Sequence, residues 1–179
     1  MAGGAVDTVL FGAAPRGVSI RGRPTRVRGQ PEIPNPRPPI RYGELNGKKQ
    51  ATGATATITA SMIGAGTRAD WRQTPPGWQG NGRTYNEARG HLIAKLLGGL
   101  GGEPRNLVTL THRGANAPQM SNFEREAARR ARSGEVIEYS SLPLYGGRAL
   151  PPEAVLLTAL GSRGAPSAAL IRNPAGRGR

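Results

Sequence analysis

Five side chains in the middle of this chain have types suited to one reaction. His91 follows Arg89 and Gly90, Asn106 opens an apolar stretch, Asn116 opens a long amphipathic stretch, and Glu124 lies eight residues inside it. A neutral imidazole can take a proton from water near pH 7. A hard cation such as Mg²⁺ or Mn²⁺ prefers oxygen ligands, and Mg²⁺ retains several waters. One Asn carbonyl, with waters and phosphate oxygens, could hold such an ion, and the ion would stabilise charge on a phosphate and on a departing oxygen. Arg89 could clamp a phosphate with its fork. The set suits phosphodiester hydrolysis.

These residues must be carried by ordered elements, and the sequence predicts them from about residue 42 to about 160. Residues 52–63 alternate Thr with Ala or Ile and read as a strand. Residues 66–82 hold Pro75-Pro76-Gly77 and Gly80-Asn81-Gly82 and read as a loop. A short strand is expected over 83–90. A short apolar helix follows over 91–97, stopped by Gly98-Gly99. Residues 106–111 read as a strand. Residues 116–132 read as the best helix, with Asn116 or Ala117 as cap, Pro118 in the first turn, and Met120, Phe123, Ala127 and Ala131 as its apolar stripe. On that helix Glu124 would lie about two turns beyond Asn116, so the two side chains could border one cleft. Residues 136–140 and 154–160 are further strand candidates. The fold class expected is α+β with a small antiparallel sheet.

Composition sets the limits. The chain has 179 residues, of which 36% are hydrophobic and 4% aromatic, so its core is modest. Gly and Pro number 27 and 16, and seven of the prolines fall in a Pro- and Arg-rich stretch over 14–41. We expect a linker or arm over 1–41, the ordered domain over 42–160, and a basic disordered tail over 161–179. The absence of Cys excludes a disulfide scaffold, a thiolate zinc site and a cysteine nucleophile. No apolar run is long enough to span a membrane, and no secretory signal peptide is seen at the N-terminus. The formal net charge is +14, and only 3 of the 25 basic residues are Lys. An Arg-biased excess favours a nucleic-acid partner, because guanidinium forks pair with phosphate bidentately.

Taken in order, the residues Tyr85-Asn86-Glu87-Ala88-Arg89-Gly90-His91-Leu92, Gly98-Gly99, Pro104-Arg105-Asn106-Leu107-Val108 and Asn116-Ala117-Pro118 with Phe123-Glu124 resemble the DNA/RNA non-specific endonucleases. These are ββα-metal (His-Me finger) nucleases with an Asp-Arg-Gly-His signature. The nuclease domains at the C-termini of bacterial polymorphic toxins look most alike. The resemblance covers about residues 50–145. It implies a ββα-metal core and metal-dependent cleavage of DNA, and of RNA, with little sequence preference, leaving 5′-phosphate ends. It implies His91 as general base, Asn116 as the ligand of a single Mg²⁺, Asn106 as a support for the site, Glu124 near the metal's waters, and Arg89 on phosphate. It also implies a toxin effector, secreted or delivered to act in the cytoplasm of a target cell, and a cognate immunity protein as partner. Ala88 stands where the signature has Asp. Glu87 would point to the opposite strand face and is a poor substitute.

Simpler explanations exist for several of these residues. Asn116 could only cap its helix, and Arg125, Arg129, Arg130 and Arg132 read as a solvated helix face. His112 reads as surface, and Trp71 and Trp78 as packing in a small core. Two other functions fit the same composition: a non-enzymatic basic nucleic-acid-binding protein, and an inactive toxin remnant.

Overall fold

The computed structural model describes residues 39–174. Five strands form one antiparallel sheet in the order β1-β2-β7-β8-β9: β1 Ile40–Tyr42, β2 Ala54–Ile58, β7 Ile137–Leu144, β8 Ala154–Gly161 and β9 Ser167–Arg172. Alternation decides which face is buried. Ala54, Ala56 and Ile58 of β2 point inward while Thr55 faces solvent, and Ile137, Tyr139 and Ser141 of β7 lie opposite them in register. Small inward residues let a helix approach this face closely.

That helix is α2, Gln119–Arg132. Met120, Ala127, Ala128 and Ala131 are buried in the core it shares with β2, β7 and β8, and Phe123 packs edge-on against Tyr139 with centroids 6.0 Å apart. The expected stripe of Met120, Phe123, Ala127 and Ala131 is therefore the buried one. Arg130 departs from the solvated face: it is buried and forms a two-pronged pair with Glu135 at 2.8 and 2.9 Å.

Between β2 and α2 lies an antiparallel hairpin, β3 Glu87–His91 and β4 Leu107–Thr111, preceded by the single turn α1, Gly82–Tyr85. The strand expected over 83–90 thus begins later and ends at His91. The short helix expected over 91–97 is reduced to one 3₁₀ turn, Lys95–Leu97. Gly98 ends it at φ 94°, a left-handed conformation suited to glycine. Gly99 packs so closely that a Cβ there would collide with the Ile93 carbonyl. β5 Arg113–Gly114 and β6 Ala117–Pro118 form a two-residue parallel bridge just before α2. Pro118 is the N-cap and Ala117 is held in β6, so the helix starts at Gln119 and Asn116 lies outside it.

Both expected boundaries of the domain move outward. β1 belongs to the sheet, although the sequence assigned it to the arm; the rest of the expected arm, residues 1–38, lies outside the described residues. The expected tail supplies β9, whose six residues all pair with β8. Just beyond β9, buried Asn173 caps the free edge of β4: its Oδ1 accepts the Thr111 N–H at 2.7 Å, and its Nδ2 donates to the Thr109 carbonyl at 3.1 Å. The same Nδ2 also donates to the Pro152 carbonyl at 2.7 Å. An edge strand needs such partners because its backbone groups are otherwise orphaned when buried. Residues 175–179 lie outside the described residues.

Candidate active site

Strand alternation in β3 puts Glu87, Arg89 and His91 on one face and Ala88 and Gly90 on the other. The first face is covered by the 67–80 loop, which each of the three side chains holds. Glu87 is buried, and its Oε2 accepts the N–H groups of Gln79 at 2.7 Å and Gly80 at 3.2 Å. Arg89 donates from Nε to the Gln73 carbonyl at 2.6 Å and lies 4.2 Å over the Trp78 ring. Its Nη groups make no hydrogen bond among the described residues, so the fork's outer edge can still receive a phosphate. His91 places Nε2 3.1 Å from the Thr67 carbonyl oxygen.

The last contact decides the tautomer. A carbonyl oxygen only accepts, so Nε2 carries the proton and Nδ1 keeps its lone pair. Burial lowers the His91 pKa below its ordinary 6.5, opposed by the Thr67 hydrogen bond. The ring is therefore neutral, with a free basic nitrogen, near pH 7.

Asn106 is fully buried and serves the segment that follows His91. Its Oδ1 accepts the Ile93 N–H at 2.8 Å, and its Nδ2 donates to the carbonyls of Ile93 at 3.2 Å and Leu100 at 3.0 Å. Its own carbonyl accepts the Leu92 N–H at 2.8 Å. The Asn106 amide is thus satisfied in the interior by the backbone of the segment after His91. The segment it fixes continues into the Lys95–Leu97 turn, which packs against α2. The strand end bearing His91 and the helix bearing Glu124 are thereby built on one core.

Asn116 lies in the bend ahead of α2, where its N–H donates to the Thr111 carbonyl at 3.0 Å and its carbonyl accepts from Ser121 Oγ at 3.0 Å. The capping role considered for its side chain is not realised, because the N-cap is Pro118. The Asn116 side-chain amide has no hydrogen-bond partner among the described residues. Glu124 is half-buried in α2, and its carboxyl is raised to about 7, chiefly by burial and against the influence of Arg125. The neighbouring arginines are engaged elsewhere: Arg125 with Asn122, Arg129 with Glu126 and Arg130 with Glu135. No hydrogen bond among the described residues joins His91, Asn116 and Glu124 to one another.

The donor set suits a hard divalent ion. No group of three His, Asp or Glu side chains that could hold a metal occurs among the described residues. An ion here would draw on few protein ligands, and the Asn116 amide and Glu124 carboxyl, neither hydrogen-bonded nor ion-paired among the described residues, are oxygen donors of the right kind. Ala88 pairs with Leu110 and brings no carboxylate, while Glu87 is occupied with the loop. His112 is exposed, as expected. Trp71 departs from the expected core packing: it is 73% exposed, with Arg72 5.1 Å from its ring centroid, whereas Trp78 packs under Arg89. Sequence reasoning missed Thr67, Gln73 and Asn173, which act through backbone carbonyls or across long separations and leave no local signature.

A family model described as DNA/RNA non-specific endonuclease matches residues 37–160. Among solved structures, Sda1 nuclease with a bound zinc ion is similar at 25% identity and TM-score 0.62, over 76% of this chain and 75% of that one. NucA from Streptococcus agalactiae with a bound magnesium ion shares the fold at 22% identity and TM-score 0.64, over 75% and 72%. A protein described as an extracellular endonuclease shares it at 19% identity and TM-score 0.53, over 82% of each chain. No curated protein sequence matches.

Proposed function

Because the chain belongs to the DNA/RNA non-specific endonuclease family, we propose that it hydrolyses internal phosphodiester bonds of DNA, and of RNA, with little sequence preference. The observation that carries this reading is the 3.1 Å contact from His91 Nε2 to the Thr67 carbonyl, which leaves Nδ1 as a free base. Nδ1 takes a proton from water as the water oxygen attacks phosphorus in line. The new P–O bond forms as the bond to the 3′ oxygen breaks, which leaves a 5′-phosphate and a 3′-hydroxyl that collects a proton from solvent. Arg89 holds a non-bridging phosphate oxygen through its Nη edge. Asn106 acts through the Leu92–Leu100 segment to keep the His91 strand end in place.

Asn116 is the residue we assign to hold a divalent ion, Mg²⁺ or Mn²⁺, with Glu124 facing its water shell. When bound, that ion supplies positive charge against the phosphate and the departing oxygen. The zinc ion bound in Sda1 and the magnesium ion bound in NucA support a divalent ion here by analogy. The core is read as the ββα-metal (His-Me finger) arrangement, with β3, β4 and α2 as its parts.

The nuclease unit is proposed to span 40–174, since β1 and β9 are built into the sheet. The biological reading is an antagonistic toxin effector, secreted or delivered into a target cell and neutralised by a cognate immunity protein. Co-purification with the product of a neighbouring gene tests that role separately from catalysis.

The decisive experiment is incubation with supercoiled plasmid in Mg²⁺ and in EDTA, beside His91→Ala. Smearing that needs both the metal and His91 is expected. Intact plasmid with a salt-sensitive gel shift would overturn the reading in favour of a non-enzymatic binder.

A further inference from the structure

A cavity of about 380 Å³ opens between the turn before β2 and the loop that covers the hairpin. Pro75, Pro76, Leu107 and Leu150 give it an apolar lining, and Lys48 and Lys49 face it as well. Pro75 and Leu107 are buried, while both lysines are exposed. These are two of only three lysines in a chain whose other basic residues are all arginine.

The lysine pair is held on a built turn. Asn46 Oδ1 accepts the N–H groups of Lys48 at 2.9 Å and Gln50 at 3.0 Å, and Asn46 Nδ2 donates to Gln50 Oε1 at 2.7 Å. Lys49 sits at φ 58°, in the left-handed region that is costly for a residue with a Cβ. Buried Gln50 donates from Nε2 to the Leu150 carbonyl at 2.8 Å, tying the turn to another wall of the same cavity. No carboxylate lines the cavity, and Glu44 nearby in sequence is paired with Arg105 at 3.1 Å. The cavity also shares its structure with the candidate active site. Gln73, which lines it, accepts the Arg89 Nε–H, and Leu107 is the partner of His91 in the hairpin register.

We infer that this cavity is a nucleotide subsite: it takes one nucleotide unit of a bound nucleic-acid strand, away from the scissile bond. Its volume lies in the range of sites that enclose small ligands. The proline and leucine surfaces bury a base without reading its edges, which suits sequence-tolerant binding, and the ammonium groups meet the attached phosphate as point charges. The substrate class rests on the nuclease reading above.

The test follows backbone amides of the full chain by NMR with divalent metal chelated. The probes are a deoxynucleoside 5′-monophosphate and, separately, inorganic phosphate. The nucleotide should shift the Lys49, Thr74 and Leu107 amides saturably, while phosphate alone leaves Leu107 unmoved. In a Lys48→Ala, Lys49→Gly double variant, where glycine suits the left-handed backbone, those shifts should vanish. The salt slope of oligonucleotide binding should fall by about 1 for each ammonium–phosphate pairing that the variant removes. Identical responses to nucleotide and phosphate, or no response at the cavity, overturn the subsite. A protein that cleaves plasmid but has a silent cavity loses the subsite alone. One that binds nucleotide there but leaves plasmid intact keeps the subsite and loses the nuclease reading.

Discussion

The His91 ring is fixed from the side of a loop 24 residues earlier: its Nε2 meets the Thr67 carbonyl at 3.1 Å. That carbonyl is itself placed by a backbone frame, because the Thr67 N–H donates to the Gly99 carbonyl at 3.0 Å and Thr67 Oγ1 accepts the Gly101 N–H at 2.8 Å. One loop thus sets both the tautomer and the direction of the free nitrogen.

The first expectation concerns pH. Burial lowers the His91 pKa below 6.5, so the base-competent neutral form persists to lower pH than in a free histidine. Cleavage lost as pH falls should show an acidic midpoint below 6.5 in a kcat/KM profile. A midpoint well above 6.5 that survives Glu124→Gln would contradict the buried, neutral ring, since the Glu124 carboxyl is itself raised to about 7.

Asn106 should act on rate through position. Asn106→Ala leaves the buried N–H and C=O of Ile93 without side-chain partners, at about 1–3 kcal/mol for each orphaned group. The melting temperature and kcat should both fall, while the acidic midpoint of the profile stays where it was. Asn106→Asp should do no better, since it sets an oxygen against the carbonyls of Ile93 and Leu100. A shifted midpoint would mean that Asn106 takes part in proton transfer.

Asn116 should separate activity from stability. Its side chain has no hydrogen-bond partner among the described residues, so Asn116→Ala should leave folding stability within about 0.5 kcal/mol. Cleavage should fall by about 10²–10³-fold, the scale of a missing charge-stabilising contribution of several kcal/mol. Calorimetric titration with Mg²⁺ should show weakened binding. Full activity in this variant would remove Asn116 from the metal site.

Truncation tests the domain limits. Ending the chain at residue 160 deletes β9 and Asn173, exposes the edge of β8 and frees that of β4. This product should fail to fold by circular dichroism, whereas removal of residues 1–38 should leave a folded protein that still cleaves plasmid. Asn173→Ala alone should cost about 1–3 kcal/mol by orphaning the Thr111 N–H.

The sequence made legible what is local or periodic. The alternation of Thr with Ala and Ile marked β2, and the spacing of Met120, Phe123, Ala127 and Ala131 marked the buried face of α2. The order Arg89-Gly90-His91, Asn106, Asn116, Glu124 is fixed by the chain and carries the family resemblance. The arginine excess pointed to a polyanionic partner, because charge is a property of composition before folding.

Tertiary structure decided the rest, since it depends on groups distant in sequence or common to every residue. A backbone carbonyl at Thr67 has no signature, yet it determines which nitrogen of His91 is basic. The tail read as disorder became β9 because pairing with β8 satisfies its backbone, a gain invisible in a stretch rich in Gly, Pro and Ala. Glu124 and Arg130 look alike as charged helix residues; folding leaves Glu124 half-buried with no ion pair among the described residues and pairs Arg130 with Glu135. Which charge is buried, and with what, is set by the packing of α2 on the sheet, so residue type alone could not separate the catalytic candidate from the structural ion pair.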